Sequence, residues 1–301
     1  MTATDLSPLA TPSGRFTIAA LDHRDALAAE FDRLHADAGP GSGGGGSAGT
    51  DAVAAGADAL RTFKGDVLAA LGRSPVKPSA VMLEPEFSLP DLLPAVPDGV
   101  GVTCAIEAQG YLAAPGDGNT LMDGWSPGRV ASVGADGAKL LVLYRHDRGA
   151  FTESQERLVA DVVTEAAELG VPALIEPVPV ETTGADDRRT VIVESARRIG
   201  AMGPMLLKLP YPGPGACAEV TEAAGPHPWI LLSWGVTYDE FNGQLTEAMA
   251  AGCAGFAVGR ALWREGVDPA GRGDFLAGPF QERLGELIDL AESSPSAGGI
   301  R

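Results

Sequence analysis

The amino-acid sequence predicts a closed (β/α)8 barrel, or TIM barrel, of the α/β class. Three observations predict it: eight short apolar runs rich in β-branched residues, helix-like segments between those runs, and a length of 301 residues. Strands that alternate with helices indicate a parallel sheet. Eight such units in a chain of this length favour a barrel of about 250 residues over an open doubly wound sheet, and one domain, spanning 1–301, over two.

Each apolar run is bounded by glycine, proline or acidic residues, which is typical of a strand buried on both faces. In chain order the predicted strands are FTIAALD (16–22), AVMLEPE (80–86), VGVTCAIEA (100–108), AKLLVLY (138–144), PALIEPV (172–178), PMLLKLP (204–210), WILLSWGV (229–236) and GFAVGRALW (255–263).

The first crossover contains a glycine-rich run, GPGSGGGGSAG (39–49), between helical DALAAEFDRLHAD (25–37) and TDAVAAGADALRTFKGDVLAALG (50–72). It follows a helix rather than a strand and lacks GK[ST], so it is interpreted as a flexible insert and not as a phosphate loop. The tail from about residue 293 is expected to be frayed.

Two further segments show helix boundaries. TESQERLVADVVTEAAELG has Thr152 and Ser154 as candidate N-caps and is expected to end at Gly170. TYDEFNGQLTEAMAAG (237–252) has the same form.

Composition excludes several classes of function. With 40 acidic residues against 22 Lys and Arg, the net charge of −18 disfavours nucleic acid and anionic membranes as partners. No apolar stretch is long enough for a membrane span, and the first residues lack a signal-peptide pattern. The three cysteines form no CxxC and the four histidines no HExxH, so we expect a cytoplasmic protein without a metal cofactor.

The strand ends are where a barrel of this kind carries its chemistry. The chain has only four lysines, at 64, 77, 139 and 208, and two of them fall within predicted strands. The polar residues on or after the strands are Asp22, His23, Arg24, Glu84, Glu86, Glu107, Lys139, Glu176, Lys208, Ser233, Gly259 and Arg260. Charges inside apolar runs are costly when unpaired, so we expect them to point into a shared polar centre.

Lys208 stands between two leucines, where desolvation and a second cation such as Lys139 would favour a neutral amine. Such an amine can attack a ketone and form a Schiff base, with nearby carboxylates moving the protons. The residues alone leave a second alternative open, in which a buried Lys–Glu network only holds the barrel together.

Motifs throughout the barrel resemble those of the class I tagatose-1,6-bisphosphate aldolases, which are related to the sulfofructosephosphate aldolases. The most specific is LSWGVTYDEFNGQLTEAMAAGCAGFAVGRALW (232–263). The others are ALDHR, FKGDV, MLEPEFSLP, EAQGY, DGWSPGRVASVGADGAKLLVLY, LIEP and LLKLPYP. The chain departs from the family at His23, where glutamine is usual, and at Trp234, where a small residue is usual.

This resemblance implies roles for eleven residues. Lys208 would form the Schiff base, Glu176 would transfer protons, and Lys139 and Asp22 would complete the charged centre. The ketone-side phosphate would bind at the loops after strands seven and eight, to Ser233, Gly235, Gly259 and Arg260. The candidates for the distal group are His23, Arg24 and Lys64, with an ion pair to Asp25 or a neighbouring acid as the alternative for Arg24.

The activity that the resemblance implies is reversible cleavage of a ketose (bis)phosphate, such as tagatose 1,6-bisphosphate, to dihydroxyacetone phosphate and an aldehyde. An alternative keeps the lysine chemistry but takes a ketose 1-phosphate with a sulfonated or otherwise altered distal end. A further alternative is a barrel that binds sugar phosphates without turnover. The family also suggests a homodimer, and the Schiff base requires no metal.

Overall fold

Eight parallel strands close into a barrel in which each strand pairs with the next along the chain and the last with the first. The computed structural model describes residues 4–37, 50–111, 116–203 and 205–294, so the predicted insert at 39–49 and the end of the tail lie outside the described residues. The predicted (β/α)8 barrel is confirmed. The strands are β1 Phe16–Ala20, β2 Ala80–Leu83, β3 Gly101–Ala105, β4 Gly137–Tyr144, β5 Ala173–Pro179, β6 Leu206–Pro210, β7 Trp229–Leu232 and β8 Gly255–Val258.

Helices surround the strands and cover their outer faces. They are α1 Asp25–Asp37, α2 Thr50–Arg73, α3 Pro127–Ser132, α4 Ala150–Leu169, α5 Ala185–Gly200, α6 Cys217–Ala224, α7 Tyr238–Ala250, α8 Arg260–Trp263, α9 Arg272–Ala277 and α10 Pro279–Ser293. Short 3-10 turns occur at Ser7–Leu9, Leu93–Ala95 and Arg264–Val267.

Side-chain alternation along the strands decides which residues face the barrel interior. The interior apolar cluster consists of Leu9, Phe16, Ile18, Ala20, Ala80, Met82, Leu174, Leu206, Ile230, Ala254 and Ala257. Intervening residues such as Ala19, Leu207 and Leu231 belong instead to the larger core between strands and helices. The same alternation places charged side chains above the apolar layer. Asp22, Glu176 and Lys208 each follow an interior residue by two positions and therefore face the interior too. The barrel is therefore apolar at its base and charged at the carboxyl ends of its strands.

The last predicted strand, 255–263, was too long. β8 ends at Val258, and Arg260–Trp263 forms the short helix α8, because the Leu262 amide turns back to the Gly259 carbonyl and the Trp263 indole donates to the Ala20 carbonyl at 2.9 Å. Four other predicted strands, 16–22, 80–86, 100–108 and 229–236, likewise end earlier, at Ala20, Leu83, Ala105 and Leu232.

The predicted N-caps of α4 were wrong. The helix begins at Ala150, after Gly149 with a φ of 49°, so both candidates lie inside it. Thr152 instead closes the preceding loop, accepting from the Arg148 amide at 3.0 Å and donating to the Arg145 carbonyl. The predicted end is confirmed, with Gly170 in the left-handed conformation at the C-cap. For α7, Thr237 caps the helix by accepting from the Glu240 amide.

Candidate active site

A cavity of about 330 Å³ opens at the carboxyl ends of the strands. Ten of the eleven predicted site residues line it: Asp22, His23, Arg24, Lys139, Glu176, Lys208, Ser233, Gly235, Gly259 and Arg260. They come from or directly follow β1, β4, β5, β6, β7 and β8, so distant parts of the sequence meet where a barrel enzyme carries its chemistry.

Lys139 occupies the centre of the charged layer. Its Nζ lies 3.0 Å from Asp22 Oδ2, 2.8 Å from Glu107 Oε1 and 3.0 Å from Glu176 Oε2. Burial alone would favour a neutral amine, but the three carboxylates outweigh it and raise the pKa of Lys139 well above its ordinary value. Lys139 is therefore a permanent ammonium in this site.

Lys208 lies beside Lys139 and shares a carboxylate oxygen with it. Its Nζ is 2.9 Å from Glu176 Oε2, and on its apolar side it lies 3.7 Å from Met82 Sδ. Burial opposes ionisation of Glu176, yet Lys139 and then Lys208 outweigh burial and lower the pKa of that carboxyl. The pKa of Asp22 is lowered against burial by the same two lysines. One oxygen of Glu176 therefore lies between two lysine amines, and these cations favour its ionised form.

Glu107 completes this centre, although it carried no predicted role. One carboxylate oxygen binds Lys139, the other accepts from the Leu141 amide at 3.1 Å, and the backbone of Glu107 is held by an antiparallel bridge to Leu121. The sequence contained a signal for this placement. Glu107 lies four residues after Thr103, which pairs with the interior residue Met82, so side-chain alternation assigns Glu107 to the interior as well. Gln109 and Tyr111 also line the cavity without having been predicted.

Two glycines in the loops after β7 and β8 allow neighbouring side chains to approach the backbone closely. A Cβ on Gly235, whose φ is 74°, would lie 2.8 Å from Arg260 Cζ, and one on Gly259 would lie 2.5 Å from His23 Cε1. The Gly259 amide donates to Ser233 Oγ at 3.4 Å. Arg260 makes no ion pair within the described residues, and its buried Nε has no hydrogen-bond partner there. The Ser233 hydroxyl, two glycines and a guanidinium without an ion pair therefore line the same part of the cavity, an arrangement suited to an anion.

Trp234 lies beside these loops, as its place in the sequence suggested. Its backbone is left-handed, with a φ of 49°, and 43% of the residue is exposed. The Arg188 guanidinium stacks over the indole at 5.3 Å from the ring centroid. Trp234 lines the cavity next to Gly235.

His23 is an uncharged member of the site. Burial lowers its pKa most, Asp22 opposes that effect, and Arg260 adds to it, leaving a pKa of about 3. The ring packs edge-on against Trp263, with 5.1 Å between centroids. At neutral pH, His23 offers hydrogen bonds to a ligand but no positive charge.

Lys64 is the predicted site residue that does not line the cavity. It is fully buried on α2 and forms an ion pair with Glu84, whose other oxygen accepts from the Glu86 amide at 2.7 Å. Arg24 does form ion pairs, as the alternative for this residue suggested. Its partners are Glu86 at 3.4 Å and Glu107 at 3.7 Å rather than Asp25.

Within the described ranges, no group of three or more His, Cys, Asp or Glu side chains is arranged to hold a metal ion. Among the same residues, no helix is long and apolar enough to cross a membrane.

Comparison with known proteins gives consistent matches. The profile of the DeoC/LacD family aldolases matches residues 18–265. A tagatose 1,6-diphosphate aldolase of Enterococcus faecalis is 28% identical over 223 residues, which cover 64% of this chain and 68% of that protein.

Two solved structures share the fold. An archaeal fructose 1,6-bisphosphate aldolase superposes with a TM-score of 0.63 at 16% identity, covering 94% of this chain and 96% of the other. A Schiff-base-forming fructose-1,6-bisphosphate aldolase gives 0.61 at 18% identity, covering 93% and 96%.

Proposed function

Because the chain belongs to the DeoC/LacD family of aldolases, lyases of the class I type, we propose that it cleaves a ketose phosphate reversibly to dihydroxyacetone phosphate and an aldehyde through a Schiff base on Lys208. The observation that carries this proposal is the single oxygen of Glu176 that lies 2.9 Å from Lys208 and 3.0 Å from Lys139. It gives a nucleophilic amine a proton acceptor beside a fixed cation.

The first steps use the unequal surroundings of the two lysines. Lys139 keeps its proton because three carboxylates surround it, whereas Lys208 has one carboxylate and a thioether as neighbours. Lys208 must lose a proton before it can attack, and in this mechanism the Glu176 carboxylate, 2.9 Å away, accepts it; the free amine then attacks the C2 ketone. The carbinolamine hydroxyl then leaves as water when Glu176 returns a proton, which produces a protonated imine.

Cleavage follows when Glu176 takes the proton of the C4 hydroxyl. The C3–C4 electron pair moves towards the iminium nitrogen, so an aldehyde departs and an enamine remains. Protonation of the enamine at C3, followed by hydrolysis of the imine, releases dihydroxyacetone phosphate and restores the Lys208 amine. Asp22 and Lys139 balance the charges that appear during these steps.

The phosphate of the ketone half fits the loops after β7 and β8. Ser233, Gly235 and Gly259 supply a hydroxyl and close-approaching backbone, while Arg260 supplies a cation that is not committed to a carboxylate. Charge-assisted hydrogen bonds from this guanidinium would anchor the substrate at one end, leaving C2 to be presented to Lys208.

The test is covalent trapping. The chain is incubated with dihydroxyacetone phosphate and borohydride, digested, and mapped by mass spectrometry. We expect a reduced adduct on Lys208 that is lost in Lys208→Met and retained in Lys77→Met, the same substitution at the exposed lysine. An unmodified Lys208 under saturating ligand would refute the Schiff base and favour a barrel that binds sugar phosphates without turnover.

A further inference from the structure

The charges that line the cavity are balanced before any ligand binds. Four cations, Arg24, Lys139, Lys208 and Arg260, face four carboxylates, Asp22, Asp25, Glu107 and Glu176. With His23 neutral, the described lining has no net charge to offset two phosphate groups, each of which would bring about −1.5 to −2.

Three of the four cations are already committed to carboxylates. Lys139 contacts three of them and Lys208 contacts Glu176. Arg260 differs, because it has no ion pair within the described residues. The cavity therefore offers one uncommitted cation, and it lies at the loops that suit the ketone-side phosphate.

Arg24 is the cation best placed by sequence to hold a second anion, but its guanidinium is occupied. Only 1% of its side chain is exposed. Nη1 lies 3.4 Å from Glu86 Oε2, and Nη2 donates to the Glu107 carbonyl at 2.8 Å. With its amide oxygen turned towards Arg24, Gln109 accepts from the same guanidinium at 2.7 and 3.2 Å.

The remaining candidates for a distal anion also lack available charge. Lys64 does not line the cavity and is paired with Glu84. Arg188 stacks on Trp234, donates to the Tyr211 carbonyl at 2.7 Å and is not a lining residue. Besides Arg260, the cavity provides neutral hydrogen-bonding groups from His23, Gln109 and Tyr111. Such groups can form hydrogen bonds with the hydroxyl groups of a sugar.

We infer that the substrate carries a single anionic group, bound at Arg260, and that its aldehyde half is an uncharged, hydroxylated carbon chain. This inference rests on the proposed aldolase function and narrows its substrate class to ketose 1-phosphates. A second phosphate or a sulfonate at C6 would enter the cavity without a free cation to meet it, close to carboxylates that already have partners.

The experiment compares sugars that differ only at C6. Purified protein is given fructose 1-phosphate against fructose 1,6-bisphosphate, and tagatose 1-phosphate against tagatose 1,6-bisphosphate, with kcat/KM and the borohydride adduct on Lys208 as readouts. We expect each 1-phosphate to exceed its bisphosphate by about tenfold or more, because an unpaired buried charge is costly.

A matched pair of variants tests the charge argument itself. Glu86→Gln removes the half-exposed partner of Arg24 and should raise the bisphosphate-to-monophosphate ratio of kcat/KM by roughly two- to fivefold. Glu222→Gln changes the net charge equally but lies exposed on α6, and it should leave that ratio unchanged.

Two outcomes would overturn the inference: a bisphosphate cleaved as well as its 1-phosphate, or an equal shift of the ratio in both variants. In either case an adduct on Lys208 would still support the aldolase. If no sugar is cleaved and no adduct forms, the proposed function itself fails, and the substrate class fails with it.

Discussion

Replacing Lys139 by methionine should make the stability of this protein depend on pH in a defined direction. The substitution leaves Asp22, Glu107 and Glu176 buried around the position of the missing ammonium, each previously within 3.0 Å of it. Removing one partner of a buried ion pair costs about 3–5 kcal/mol, and here three carboxylates lose the same cation. We expect a loss in the free energy of unfolding of at least that size at about pH 8.

The sign of the pH dependence follows from the carboxyl groups. In the native protein the pKa values of Asp22 and Glu176 are lowered, so their contribution is present above the ordinary carboxyl pKa of about 4 and is lost as pH falls through the lower folded values. In Lys139→Met, burial and mutual repulsion raise these pKa values above those of the unfolded chain. The variant then binds protons on folding and gains relative stability as pH falls.

Urea unfolding of both proteins at about pH 8, 6.5 and 5 measures this difference. The gap between them should narrow by about 1 kcal/mol or more from pH 8 to pH 5. Lys77→Met serves as control, since Lys77 is exposed and donates to the Gly72 carbonyl at 3.2 Å; its effect should stay within about 0.5 kcal/mol. A gap that stays constant with pH would refute the neutralising role of Lys139.

Two further substitutions probe the barrel and the anion loops. Gly255→Ala should destabilise the chain by more than about 1 kcal/mol in urea unfolding, because its φ is 147° and a Cβ would overlap the Phe16 carbonyl; Gly56→Ala, on an open part of α2, should not, and equal effects would contradict the steric reason. Arg260→Gln should raise the concentration of dihydroxyacetone phosphate for half-maximal borohydride trapping by about 10- to 100-fold. The value for unphosphorylated dihydroxyacetone should not change, and a similar change for both would argue against a phosphate contact.

Much of the barrel could be predicted from the sequence because the signal is repeated and local. Eight β-branched apolar runs fix the strands, and alternation then assigns Lys208 and Glu176 to the interior. Strand ends are harder to predict. In GFAVGRALW the apolar pattern continues past Val258, whereas in the structure those residues form a helix whose Trp263 indole donates to the distant Ala20 carbonyl. Local hydrophobicity does not distinguish these outcomes.

Pairing within the charged layer could not be predicted in the same way. Lys64 and Glu84 belong to α2 and to the loop after β2, and their mutual contact removes Lys64 from the cavity. Glu107 was visible as a polar residue after β3, but its contact with Lys139 depends on how β3 and β4 are aligned. Sequence spacing indicates which face a side chain takes, whereas the partner across the barrel depends on register and shear.

The unequal exposure of the four lysines also makes the protein suitable for oriented attachment. Lys64, Lys139 and Lys208 are 0%, 1% and 5% exposed, whereas Lys77 lies on the surface, in the loop between α2 and β2. That loop is at the opposite end of the barrel from the cavity, since it leads into a strand rather than out of one. An amine-reactive support that couples through the Lys77 side chain would therefore leave the mouth of the barrel facing solution.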